Sequence, residues 1–242
     1  MNSQQDDIAA MKQWLDAAIE RGAVPVVTGQ NGDMDTIGSA IALASIHPSL
    51  LACGVHLGRI AKRLVEDMQA PFRKVTAQGT DFPSHLGGIV VVDAAAPDQV
   101  GINLPDVPRL ILDHHATNGW TLRDGDVLLQ WNVRATTEMV ATYMFEHAED
   151  ALTPPVRKML LAGMITDTGR FKHANTTSFD VTTKLLQNSD IDYAQFCEYI
   201  EREETSPSER GSLLRGLGRA KHHDAGQWLS LIHISEPTRP RS

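Results

Sequence analysis

Gly88-Ile89-Val90-Val91-Val92-Asp93 and Pro108-Arg109-Leu110-Ile111-Leu112-Asp113-His114-His115 decide the fold. In each, an apolar run ends on an aspartate. The runs are continuous rather than alternating, which is the pattern of parallel strands covered on both faces. Ala23-Val24-Pro25-Val26-Val27-Thr28 is a similar short buried strand. Its Pro25 lacks an N–H and favours an edge, a strand start or a bulge. Residues 51–57 and 127–131 complete five strands. Ile8, Met11, Leu15 and Ile19 recur at helical spacing and predict a helix over residues 5–22. Further helices are expected from Thr36 onward, at 60–68, 136–149, 155–165, 177–187, 191–200 and 207–222. Alternating strands and helices predict an α/β fold, a mainly parallel five-stranded sheet flanked by helices. Such sheets bind ligands outside the carboxyl ends of their strands. Asp33, Asp35, Asp93 and Asp113 all fall there.

Composition narrows the function. The chain has 242 residues, room for one large domain or one domain and a fragment. No apolar run approaches the ~20 residues of a membrane span. The start, Met1-Asn-Ser-Gln-Gln-Asp-Asp7, is polar and acidic, unlike a signal peptide. Two cysteines, Cys53 and Cys197, exclude a disulfide scaffold and fit a reducing cytoplasm. A net charge of −8 argues against a protein that coats duplex nucleic acid through phosphate contacts. Small anionic substrates remain open, because aspartates carrying divalent cations are locally neutral or positive.

Four segments carry chemistry. In Asn31-Gly32-Asp33-Met34-Asp35-Thr36-Ile37-Gly38-Ser39, two carboxylates one residue apart can address neighbouring cations. Gly38 and Ser39 allow close approach at a helix N-terminus, where an anion is favoured. A plain acidic loop with a helix cap is the competing reading. Asp93 after its strand reads either as a ligand or as a turn residue. Asp113-His114-His115 at a strand end points to metal binding or catalysis. Asp167 closes an apolar helical stretch, and Arg170, His173 and Asn175 follow closely enough to line one pocket.

In order and spelling, these segments resemble the DHH phosphoesterase family over roughly residues 20–225. The likeness includes Gly32-Asp-Met-Asp-Thr-Ile-Gly-Ser39, Asp113-His-His115, Ala135-Thr-Thr-Glu138 and Thr166-Asp-Thr-Gly-Arg-Phe171 with Asn175-Thr176. It is nearest to the branch of oligoribonucleases, phosphoadenosine-phosphate phosphatases and cyclic-dinucleotide phosphodiesterases. The resemblance implies a first metal on Asp33 and Asp93. A second would lie on Asp35, Asp93, His114 and Asp167, with Asp93 bridging. Asp113 would support the site. His115 and Arg170 would face the phosphate, and Ser39, His173 and Asn175 the substrate. Oxygen and imidazole ligands suit two manganese or magnesium ions. One departure stands out. The family usually has a histidine four residues before its first aspartate, and Gly29 is there.

The implied activity is two-metal hydrolysis of phosphoesters in a small nucleotide or short single-stranded RNA, in the cytoplasm, with homodimer formation left open. A manganese-dependent inorganic pyrophosphatase, a nuclease for long single strands and a non-catalytic nucleotide-sensing module are the rivals. The expected organisation is a catalytic domain at 1–204, a connector helix at 205–223 and the start of a lost C-terminal substrate-binding domain at 224–228. Residues 229–239, Leu-Ser-Leu-Ile-His-Ile-Ser-Glu-Pro-Thr-Arg, are similar to a translated transposase mosaic-end sequencing adapter. Residues 229–242 are therefore expected to be a non-native tail, and the missing smaller domain is expected to leave turnover impaired.

Overall fold

The computed structural model describes residues 4–78, 82–187, 189–202, 207–219, 221–223 and 228–230. The chain divides into two units, Met1–Phe196 and Cys197–Ser242. The first is built on β1 (Val24–Thr28), β2 (Leu50–Gly54), β3 (Arg73–Lys74), β4 (Ile89–Val92), β5 (Arg109–Asp113) and β6 (Val127–Gln130). They form one parallel sheet in the order β3-β2-β1-β4-β5-β6. The sheet has six strands where five were expected. The added strand, Arg73–Lys74, is two exposed cations pairing with Cys53 and Gly54, so no apolar run announces it. β1 is not an edge strand but lies between β2 and β4, with Pro25 at its second residue opposite Leu51.

Strand order runs outward in both directions from β1 and β4. Their carboxyl ends therefore flank a topological switch point, the usual place for a ligand in an open α/β sheet. The loop after β1 carries Asp33, and β4 is followed directly by Asp93.

α1 (Gln4–Arg21) precedes β1, and its Trp14 Nε1 donates to the Gly125 carbonyl at 3.1 Å. α2 (Met34–Ala44) joins β1 to β2, and α3 (Arg59–Asp67) joins β2 to β3. After β6 come α4 (Thr136–His147), α5 (Pro154–Asp167) and α6 (Thr176–Leu186). α2 packs on β1, β2 and β4 and is covered by α4 and α5. Small residues permit this double burial. A Cβ on Gly38 would stand 2.6 Å from the Met159 carbonyl oxygen of α5. One on Gly163 would stand 2.6 Å from Thr137 Cγ2 of α4. Val27, Cys53, Ile89, Val91 and Ile111 form a core cluster with Val100 and Trp120. Burial pushes the Cys53 thiol up to about 12, so it acts as a small apolar residue.

α7 (Tyr193–Glu201) spans the boundary between the units. The second unit also holds α8 (Pro207–Arg219) and an antiparallel pair, β7 (Lys221–His223) and β8 (Trp228–Ser230). The helix expected through residue 222 thus stops at Arg219. Gly216 and Gly218 weaken its last turn, each by roughly 1 kcal/mol relative to alanine. Residues 203–206 and 224–227, and residues 231–242 of the expected tail, lie outside the described residues. Among the described residues no helix is long and apolar enough to cross a membrane.

Candidate metal centre

His114 occupies the middle of the centre. Its Nε2 lies 3.4 Å from Asp93 Oδ1, 3.5 Å from Asp167 Oδ2 and 3.8 Å from Asp35 Oδ2. Four different parts of the fold supply these groups. Asp35 comes from the first turn of α2, Asp93 from the end of β4, His114 from the end of β5 and Asp167 from the last turn of α5.

Asp35 is held hardest. It is buried and accepts hydrogen bonds from Thr136 N (2.6 Å), Thr137 N (2.8 Å) and Thr137 Oγ1 (2.6 Å). The first turn of α4 thereby presents backbone donors to a carboxylate, the favourable side of a helix for negative charge. Asp93 is buried and sits at φ +57°, a left-handed conformation uncommon outside glycine. Its N–H donates to the Leu112 carbonyl at 2.9 Å and Thr136 Oγ1 reaches its Oδ1 at 3.4 Å. Asp33 caps α2, accepting from Thr36 N at 3.1 Å, and Asn31 Nδ2 donates to its other oxygen at 2.5 Å.

The cluster is electrostatically crowded. Burial raises the Asp35 carboxyl well above the usual carboxylate range, and the Asp93 and Asp167 charges add to this. Burial also raises Asp167, to about 6, with Asp93 and Asp33 adding to it against the pull of His114. Loss of surrounding water and the Asp93 charge raise Asp33. Burial works to lower His114, but Asp93, Asp35 and Asp167 outweigh it and hold the imidazole at about 9. Asp167 gains nothing from its helix, because a carboxylate at a helix C-terminus faces the negative end of the dipole.

A divalent cation fits this donor set. Oxygen and nitrogen ligands on bonds of about 2.1 Å stand about 3.0–3.4 Å apart at octahedral or tetrahedral angles, so small inward shifts would close the observed spacings. A cation would also relieve the repulsion among the carboxylates. The donor types suit magnesium or manganese rather than a thiolate-seeking metal. Two groups of donors, Asp35-His114-Asp167 and Asp93-His114-His115, lie close enough to share an ion.

The remaining expected residues divide. His115 Nδ1 is 2.7 Å from Asp113 Oδ1, and its ring packs 4.7 Å from that of His114. Asp113 is fully buried, and its Oδ2 has no hydrogen-bond partner among the described residues. Gln130 Nε2 donates to the His115 carbonyl and Gln130 Oε1 accepts from Asn118 Nδ2 at 3.1 Å, fixing the turn after β5. Arg170 and Phe171 both adopt positive φ, +60° and +63°, directly after Gly169 at +58°. Three successive left-handed residues next to Asp167 are the kind of strain that gathers at functional sites. His173 is exposed on the same loop, with Gly169 close beneath its ring. Asn175 is the N-cap of α6, in a capping box with Ser178. Ser39 is enclosed within α2, and its hydroxyl has no partner among the described residues.

A model of the DHH family, N-terminal domain, matches residues 23–164. The chain belongs to the DHH family. This DHH-family chain is similar to an uncharacterised protein, MJ0988, of Methanocaldococcus jannaschii, at 24% identity over 226 residues. The match covers 90% of this chain and 66% of that relative. Among solved structures it resembles an exopolyphosphatase-related protein of Bacteroides fragilis, with a TM-score of 0.70 at 16% identity. That likeness covers 90% of this chain and 66% of the other. It also resembles a putative family II inorganic pyrophosphatase of Methanococcus jannaschii, with a TM-score of 0.59 at 22% identity over 73% of this chain and 60% of that one. These two likenesses bear on the fold. The DHH-family chain thus spans 60–66% of the length of these three proteins, less than two thirds of each.

The sequence reading did not single out Thr136, Thr137 or Asn31 as parts of the centre. Ala135-Thr-Thr-Glu138 was visible as a motif. What it holds, Asp35, lies far away along the chain, so no local signal connects the two. Glu138 is buried in the same turn, accepting from Ser178 Oγ (2.9 Å) and Arg134 N (3.1 Å), and ties α4 to the cap of α6.

Proposed function

We propose that this protein hydrolyses phosphoester bonds of small nucleotide substrates with divalent cations, manganese or magnesium, at the His114 centre. The placement of His114 Nε2 among Asp35, Asp93 and Asp167 carries the reading. Cations held there would supply a water nucleophile near neutral pH and Lewis acidity toward the phosphoryl oxygens.

The chain's own residues do the rest. Asp93 Oδ1 lies 3.4 Å from His114 Nε2 and 4.0 Å from His115 Nδ1, so it stands beside both imidazoles. Thr136 and Thr137 lock Asp35 and leave its carboxylate no freedom to turn away. Asp113 holds His115 by Nδ1 and so directs Nε2 outward. His115 is about half exposed and is the group placed to meet a phosphate. Arg170, on the strained loop beside Asp167, adds a cation for charge developing on the phosphoryl oxygens. His173 borders the same loop, while Asn175 shapes it as a helix cap.

Pyrophosphate is the rival substrate, since a likeness in fold extends to a putative inorganic pyrophosphatase. Incubating the full chain with manganese and each of pyrophosphate, a short oligoribonucleotide, a cyclic dinucleotide and phosphoadenosine phosphate separates the two. Slow, manganese-dependent cleavage of a nucleotide substrate, abolished by Asp93→Ala, is expected. Cleavage of pyrophosphate alone would replace the nucleotide reading. No cleavage of any substrate by manganese-loaded protein in long, high-concentration incubations would overturn the proposal.

A further inference from the structure

We infer that the two cation positions are unequal: one site with four protein ligands, Asp35, Asp93, His114 and Asp167, and a neighbouring position on Asp33 and Asp93 that is too poor in ligands to hold an ion tightly. The inference rests on the metal-dependent reading of this centre and deepens it.

The carboxylates around His114 Nε2 decide how the donors divide. Both donor groups of the centre contain His114, yet its Nε2 carries a single lone pair and can serve one ion. Its three near carboxylates, Asp35, Asp93 and Asp167, lie at 3.4–3.8 Å, whereas His115 is committed through Nδ1 to Asp113. With His114 assigned to the first ion, the second group keeps Asp93 and His115, whose Nδ1 stands 4.0 Å from Asp93 Oδ1 but 2.7 Å from Asp113 Oδ1. Asp33 joins neither group of donors.

Asp33 is itself partly committed. One carboxylate oxygen caps α2 through Thr36 N, and the other accepts from Asn31 Nδ2. Each oxygen retains a lone pair, so Asp33 can still touch an ion, but it brings no companion from its own loop. Gly29 offers no side chain, and its N–H is spent on Thr36 Oγ1 at 2.8 Å. The backbone is also packed tightly there. A Cβ at residue 29 would stand 2.9 Å from the Asp93 carbonyl oxygen and 3.1 Å from Asn31 Oδ1. The loop is therefore built around a residue without a side chain, and this corner of the centre is left to water or to oxygens of a bound phosphate.

Calorimetric and electron-paramagnetic titration of the metal-free full chain with manganese alone tests this. The expected result is one tight ion per chain and a second bound at least a hundredfold more weakly. Asp167→Asn should remove the tight ion. Asp33→Asn should spare it and abolish the weak one, with circular dichroism confirming that each variant folds. If a variant does not fold, the stoichiometry of the unsubstituted chain decides alone. Two ions within tenfold of each other in affinity would overturn the inference and leave the proposed function standing. So would an Asp33→Asn loss of the tight ion equal to that of Asp167→Asn. No manganese binding at all would overturn both.

Discussion

At the scale of single residues, Asp113 and His115 show how a buried group acts through an exposed one. Asp113 is sealed inside the sheet end, and its Oδ1 lies 2.7 Å from His115 Nδ1. An aspartate with a free, buried Oδ2 is costly, and its use is to fix a tautomer and a ring orientation. Asp113→Asn keeps the shape and removes the charge. It should lower turnover by roughly 10–100-fold, the usual effect of losing such a supporting partner. The tight manganese site should change little, because His115 is not among its ligands. Steady-state kinetics beside a manganese titration checks this, and a collapse of manganese affinity would make Asp113 part of the ligand scaffold instead. Asp113-His114-His115 was legible in the sequence because a strand end concentrates ionisable groups in one short word. The threonines that hold Asp35 were not, because a Thr-Thr pair reads as an ordinary helix start. Ser39 and Asn175 show the converse. Their residue types suit phosphate and base contacts, yet one is enclosed in α2 and the other caps α6.

At the scale of elements, the site depends on how closely α2 and α5 approach. Asp35 opens α2, Asp167 closes α5, and Gly38 lies one turn along from Asp35. A methyl group at Gly38 would meet the Met159 carbonyl oxygen at 2.6 Å, a backbone atom that cannot swing aside. Gly38→Ala should therefore push the helices apart and cost about 1–3 kcal/mol, as overpacking of a tight core does, despite alanine's better helix propensity. Urea denaturation would measure the loss, and manganese affinity should fall with it. A neutral or stabilising Gly38→Ala would show that the contact is looser than its geometry implies. The same elements explain what the sequence could and could not reveal. β4 and β5 announced themselves through continuous apolar runs. β3 did not, since two exposed cations carry no pattern. Pro25 left β1 open between an edge, a strand start and a bulge; in the sheet the strand is central and Pro25 stands near its start.

For the whole molecule, the centre is a place where the fold accepts instability. Carboxylates at 35, 93 and 167 converge on one imidazole, and Asp33 is close enough to feel its charge, in a chain whose net charge is already −8. Burial and mutual repulsion raise Asp33, Asp35 and Asp167, so the metal-free protein carries a penalty that a cation would remove. An ion that binds the folded chain and not the unfolded one stabilises by mass action. At a hundredfold excess over its dissociation constant this amounts to about 2.7 kcal/mol. For a chain of this size that is a rise in Tm of roughly 5–10 °C. A chelator should reverse it. Asp167→Asn sharpens the test by separating stability from function. It removes one repelling charge from the end of α5, so in chelator its Tm should equal or exceed that of the unsubstituted chain. In manganese the order should invert, because the variant lacks a ligand and gains little from the ion. Differential scanning calorimetry of both proteins, with chelator and with manganese, reads all four values. If Asp167→Asn were less stable in chelator and still gained the full manganese shift, Asp167 would be a structural residue of α5 and not part of the centre.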